Sequence, residues 1–124
     1  MTYDIFLDNK KIGTSLLDKA DASMGVVFGK ILSSDKMLCF DFLSNYCRDR
    51  SIDMTEYPEN KLIITRTIAG LKVINQNGIE IKGEGVNIEG MDSEGFDINI
   101  FGIPFPFYQE EFPHHVKADK NRFI

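Results

Sequence analysis

The sequence predicts an α+β fold, mostly β: an antiparallel sheet or sandwich of about seven strands with one main helix. Three observations predict it. After Asn60 the apolar stretches are short and largely β-branched, as in KLIITRTI, LKVINQ, IEIKGEG and FDINIFGI. A single segment, DKMLCFDFLSNYCRDR, has clear helical periodicity. The connections between strands are short, which suits antiparallel pairing, because a parallel crossover needs about a dozen residues or more. The chain's 124 residues, 43% hydrophobic and 27% charged, fit one domain over 1–124 with a core of its own.

YDIFLDN alternates and opens the fold as a strand. NKKIG is expected as a hairpin-like connection ending in Gly13, and TSLLDK as the returning strand. MGVVFGKILS is a short apolar run bracketed by Gly25 and Gly29, which suits a buried strand under close backbone approach. Ser33 or Ser34 is the expected helix N-cap, with Asp35 in the first turn opposing the positive helix end. Cys39, Phe42, Leu43, Tyr46 and Cys47 then fall on one face, and Arg48 and Arg50 suit the negative end. DMTEYPEN reads as a loop around Pro58.

Asn77-Gly78 is the strongest short hairpin signal, since a type I′ turn needs positive φ at both central residues. The apolar positions Ile79, Ile81, Val86 and Ile88 change parity across Gly83-Glu84-Gly85, so a β-bulge is expected there. MDSEG is the next turn, and Phe96, Ile98 and Ile100 point inward while Asp97 and Asn99 point outward. Pro104 and Pro106 place the following aromatic run at a sheet edge or outside the sheet. The tail VKADKNRFI is polar and expected to fray unless Phe123 and Ile124 dock.

Composition excludes several functional classes. No apolar run of 18 residues exists, so no membrane span is expected. MTYDIFLDNKK lacks a basic stretch before an apolar one, so no secretion signal is expected and the location is read as cytoplasmic. Cys39 and Cys47 lie eight positions apart on the expected helix, about 12 Å along its axis. A disulfide needs Cα atoms within about 7 Å, so two buried, reduced thiols are expected. No metal-ligand spacing occurs, and no cofactor motif: GVVFGK and KGEGVNIEG match neither a phosphate-binding nor a dinucleotide-binding loop.

Charge is unevenly distributed. Residues 79–111 carry eight acids and one lysine, a net −7, whereas the rest of the chain carries eleven acids and thirteen bases, a net +2. Such an acidic segment repels nucleic acid and attracts a basic protein.

FYQEEFPHH is where enzyme chemistry is conceivable. If the stretch is extended, His114 and His115 point to opposite sides, as do Glu110 and Glu111, and neither pair shares one metal. A polar near-terminal loop with solvated histidines is the simplest reading, a partner contact the next, and acid–base work by His114 or His115 the last. Paired carboxylates among Glu80, Glu84, Glu89 and Asp97 are better explained as a solvated sheet face than as a hydrolytic pair, which would need a substrate cleft. Cys47 sits on the expected apolar face, and Ser15 and Ser23 lack a nucleophile elbow. The aromatic run through Phe101, Phe105, Phe107, Tyr108 and Phe112 beside Glu110 and Glu111 has the composition of an interface.

The first third resembles a group of small bacterial proteins through its FLDN strand, Ile12-Gly13, Leu16-Leu17, Asp21, Met24-Gly25-Val26 and Phe28-Gly29. The whole chain, small and acidic and without a recognisable active site, looks like the immunity proteins of contact-dependent growth-inhibition systems. That resemblance implies a cytosolic antitoxin bound to its own toxin, and it carries over no residue roles. The expected function is therefore a protein inhibitor that neutralises a basic toxin or nuclease. Its expected contacts are Glu80, Glu84, Glu89, Asp92, Glu94, Asp97, Glu110 and Glu111, with Tyr108 as an anchor. The alternatives are a small enzyme or ligand-binding domain using His114 or His115, and a structural subunit.

Overall fold

The computed structural model describes residues 1–33 and 37–121, and places nine strands in two antiparallel sheets. The smaller sheet has the order β2-β1-β7, from β1 (Tyr3–Leu7), β2 (Lys10–Ser15) and β7 (Leu71–Ile74). The larger has the order β3-β4-β9-β8-β6-β5. Its strands are β3 (Lys19–Asp21), β4 (Val26–Lys30), β5 (Met54–Tyr57), β6 (Leu62–Thr65), β8 (Gly85–Met91) and β9 (Gly95–Phe101). Among the described residues, three α-helices, α1 (Phe40–Asp49), α2 (Phe107–Glu111) and α3 (Pro113–Asn121), and two short 3-10 turns, Ala22–Met24 and Pro58–Asn60, complete the fold. The α+β, mostly β class holds. No described helix is long and apolar enough to cross a membrane.

Backbone hydrogen bonds tie β2 to the segment after β4 and the β6–β7 connection to β8. Thr14 and Leu32 exchange backbone hydrogen bonds of 2.9 and 2.7 Å, and the Ile68 amide donates to the Val86 carbonyl at 2.9 Å. Between the sheets lie Ile5, Val27, Ile63, Val73, Ile88, Ile98 and Ile100, all fully buried. The inward positions Phe96, Ile98 and Ile100 of β9 fall as alternation requires. α1 closes the core with Phe40, Leu43, Tyr46 and Cys47, and α2 adds Tyr108, followed by Phe112.

Several local expectations are corrected. The first hairpin turns at Asp8-Asn9, both at positive φ (51° and 69°), not across NKKIG. β2 therefore begins at Lys10, with a register shift opposite Ile5/Phe6 that leaves Ile12 buried. Leu16-Leu17 is no strand: Leu17 takes φ 44°, and its amide donates to Ser15 Oγ at 3.2 Å. The helix starts later than expected, with Cys39 in the N-cap position in place of Ser33, while Ser34 and Asp35 lie outside the described residues. Cys39 is consequently half-buried rather than buried; both thiols are free. Burial first, then the Glu56 charge, raises the Cys47 pKa above its ordinary value.

The segment MTEY is a strand, not a loop. Its inward Glu56 accepts hydrogen bonds from Ser44 Oγ (2.6 Å) and Arg48 (2.7 Å) on α1, so a carboxylate stands where an apolar residue would have signalled a strand. The Ser44 bond, then Arg48, holds that carboxyl below its usual range against the effect of burial.

The expected bulge at Gly83-Glu84-Gly85 is a change of sheet. Ile81 still donates to Val73 in the small sheet, and Gly85 already pairs with Phe101 in the large one. Of the four apolar positions flanking it, Ile81 and Ile88 are buried, Ile79 is 48% exposed and Val86 is partly buried. The tail is helical to Asn121; Phe123 and Ile124 lie outside the described residues.

The Asn77-Gly78 turn is built differently from type I′. Gly78 alone has positive φ (80°), and Asn75 Oδ1 accepts both the Asn77 and Ile79 amides at 2.9 Å. A Cβ on Gly78 would meet nothing within 4 Å. Gly78→Val is thus expected to destabilise by about 1–2 kcal/mol through the left-handed backbone alone. Urea unfolding checks this; a change within experimental scatter would contradict the conformation at residue 78.

Candidate interaction surface

The expected site residues do not form one surface. Glu80 bridges Ile74 at the small sheet and is partly buried. Glu84 is exposed at the crossover, its side chain against Gly102. Glu110 is exposed on α2. Glu111 is a structural tie, accepting the Tyr3 hydroxyl at 2.9 Å and the Asn75 amide at 3.0 Å. Burial, then this carboxylate, raises the Tyr3 pKa well above its usual value. Asp92, in the β8–β9 turn, accepts the Phe40 amide at 2.7 Å. It thereby puts a negative charge at the N-terminus of α1, which the Cys39 side chain leaves uncapped. Glu94 is exposed in the same turn, and its carbonyl accepts Lys30 Nζ at 2.7 Å.

Tyr108 is corrected as a partner anchor. It is fully buried, its ring packs between Phe105 and Phe112 at 5.2 and 5.4 Å, and its hydroxyl donates to the Val26 carbonyl at 2.9 Å. Burial, then Asp21 and Asp119, pushes its pKa up to about 12. Phe105, in contrast, is 50% exposed.

FYQEEFPHH is helical, not extended, so adjacent side chains diverge less than expected. The His114 and His115 rings sit 4.1 Å apart between centroids. His115 is buried, with Nε2 2.8 Å from the Leu17 carbonyl, which pins α3 to the turn after β2. The reading of two solvated histidines therefore fails for His115 and holds for the exposed His114. Among the described residues, no group of three or more His, Cys, Asp and Glu side chains is placed to hold a metal ion.

Partial desolvation, then the His115 charge, lowers the His114 pKa below its ordinary value. An unfolded histidine titrates near 6.5. The unfolded chain therefore takes up protons first on acidification, and stability present above about pH 6.5 is lost as pH falls through the depressed folded value. Urea midpoints at successive pH values are expected to fall below pH 6.5 and to fall less in His114→Gln; an identical slope in both proteins would contradict this contribution.

Glu89 and Asp97 differ from the other acids. They are directly opposite each other in the β8–β9 register. Pairing across the large sheet continues this row as Lys30, Asp97, Glu89, Ile64 and Thr55. The neighbouring row is Lys19, Phe28, Asn99 and Asn87, and the row beyond Glu89 is Gly95, Met91, Leu62 and Tyr57. These residues alternate with the buried ones, so they form the outer face. At its centre stand two carboxylates and two carboxamides, framed by Phe28 on one side and Ile64, Leu62 and Met91 on the other. All four central residues are partly exposed, Ile64 is 40% and Tyr57 49% exposed, so no described element covers the face there. A depression of about 370 Å³ at its margin is lined by Thr55, Ile64, Arg66, Thr67, Asn87 and Phe101.

This face is not uniformly acidic, because Lys30 lies 3.9 Å from Asp97 and Lys19 and Arg66 stand at its borders. Among the described residues, Glu89 receives an amide alone, from Asn99 Nδ2 at 3.3 Å. Sequence reasoning placed Asp97 and Asn99 outward but missed Phe28, Ile64 and Asn87 as members of this face. The signal for Asn87 was available in the alternation of β8, as it was for Asn99 in β9. Ile64 was hidden in a run whose apolar residues occupy both faces. No protein-family model matches the chain, and no curated protein or solved structure is significantly similar to it.

Proposed function

We propose that the chain is a cytoplasmic immunity protein, an inhibitor that binds and neutralises a basic protein toxin of a contact-dependent growth-inhibition system. A nuclease fits best, since enzymes that grip phosphate are basic. The observation that carries the reading is the uncovered outer face of the six-stranded sheet, with two opposed carboxylates in an apolar frame. Exposed apolar side chains such as Ile64 and Tyr57 on a sheet face that no described element covers suit a protein-binding surface, and acidic groups speed encounter with a basic partner. The remaining acids of the 79–111 segment contribute to the long-range field rather than to one contact.

The histidine-based enzyme has less support. His115 is buried against a backbone carbonyl, and the ring beside the exposed His114 is that of His115, 4.1 Å away between centroids. The test is neutralisation. Expression of a candidate basic toxin from the source cell is expected to arrest growth, and co-expression of the chain to restore it. Growth arrest that persists with the chain abundantly expressed would contradict the inhibitor reading.

A further inference from the structure

We infer that the outer face of the six-stranded sheet docks a protein surface that presents an isolated arginine flanked by apolar side chains, and that this arginine sits on the Glu89–Asp97 pair. The identity of the partner as a toxin rests on the function proposed above; the site itself rests on the strand register.

Like charges directly opposite each other on neighbouring strands destabilise a sheet. Glu89 and Asp97 occupy such positions. Lys30 offsets Asp97, whereas no ion pair joins Glu89 to a base among the described residues. A cation arriving at Glu89 relieves this repulsion.

The surroundings select the kind of cation. Ile64 is the cross-strand neighbour of Glu89 on its other side, and Leu62 and Met91 stand in the next row. A guanidinium is weakly hydrated and offers several donors in a fixed fork. It can therefore bridge two carboxylates while its aliphatic stem lies along Ile64. A lysine ammonium keeps its hydration more strongly and has no fork.

The border selects against a polybasic strip. Lys19, Lys30 and Arg66 frame the carboxylates, so a run of basic side chains laid across the face would meet like charge at both ends. One arginine among apolar neighbours satisfies the centre and avoids the border. Polar central groups with apolar surroundings also suit the arginine-centred contacts that dominate many protein interfaces.

The test uses the full chain and two tripeptide amides, acetyl-Leu-Arg-Leu and acetyl-Leu-Lys-Leu, followed by amide chemical shifts. The arginine peptide is expected to give saturable shifts at Asn87, Glu89, Asp97 and Asn99, at least threefold tighter than the lysine peptide. Glu89→Gln with Asp97→Asn is expected to abolish them. Equal responses to both peptides, shifts as large at Glu84 and Glu110 as on the face, or no saturable shift would overturn the inference. A second arm uses the toxin. Ile64→Lys is expected to weaken its binding at least tenfold, with an unchanged urea midpoint. If the wild-type chain neutralises the toxin and Ile64→Lys binds it equally well, the docking face is wrong and the inhibitor reading stands. If the wild-type chain neutralises no toxin while the arginine peptide still binds at Glu89 and Asp97, the inhibitor reading fails and the face stands.

Discussion

Asn75→Ala is expected to cost about 2–4 kcal/mol of folding stability, from the net value of three hydrogen bonds plus the penalty for groups left without a partner. Asn75 is 5% exposed and holds two parts of the molecule at once. Its Oδ1 accepts the amides of Asn77 and Ile79, and its Nδ2 donates to Glu111 Oε1. Truncation strips the turn of its internal acceptor and removes one of the two hydrogen bonds that Glu111 accepts among the described residues, leaving that from the Tyr3 hydroxyl. For a domain with about 5–15 kcal/mol of total stability this is a large share. Asn75→Asp is a discriminating companion. It keeps the acceptor for the turn but sets a second carboxylate against Glu111, so its deficit is expected to shrink as pH falls toward the carboxylate range. Urea unfolding of the three proteins measures both effects. A loss below about 0.5 kcal/mol in Asn75→Ala, the range of ordinary surface changes, would contradict the tie between turn and helix.

The same residue shows where sequence reading runs out. Asn77-Gly78 announces a turn by its own chemistry, and the turn is there. Which residue organises it depends on Asn75 having Glu111 beside it, 36 positions away. Strands with one apolar and one polar face, such as β1 and β9, were legible because burial imposes a period of two. β5 was not, because its inward Glu56 is satisfied by Ser44 and Arg48 on α1, and that partnership is invisible in one dimension. The start of α1 was missed for a similar reason: its first amide is capped by Asp92, 52 positions away. Asp8-Asn9 was overlooked although both residues tolerate positive φ, because Gly13 drew the turn to itself.

The candidate site was legible in charge but not in shape. Eight acids in 33 residues read as one surface. In three dimensions Glu111 and Asp92 are spent on internal hydrogen bonds, and Glu80, Glu84 and Glu110 lie on other elements. Only Glu89 and Asp97 meet across adjacent strands, a consequence of the three-residue turn that sets the β8–β9 register.

Reversing that pair is the second large effect expected. Glu89→Lys with Asp97→Lys places two positive charges beside Lys30 at the centre of the outer face. The side chains point outward, so the fold is expected to persist, with a modest fall in the urea midpoint from loss of the Lys30–Asp97 pair and from like charges set opposite one another. Two effects act on a basic partner. Steering is lost over a Debye length of about 8 Å at physiological salt, and the docked arginine meets repulsion in place of two acceptors.

The association rate of the toxin with this double variant, at low and at physiological salt, tests the central claim most directly. Glu84→Lys with Glu110→Lys serves as the control, because it makes the same change in net charge elsewhere on the surface. The face variant is expected to associate at least tenfold more slowly than wild type at low salt, to lose most of its salt dependence, and to dissociate faster. The control is expected to remain within about threefold of wild type at low salt and to keep the wild-type dissociation rate. Equal slowing in both variants, with dissociation unchanged, would show that only net charge matters and would contradict docking at Glu89 and Asp97.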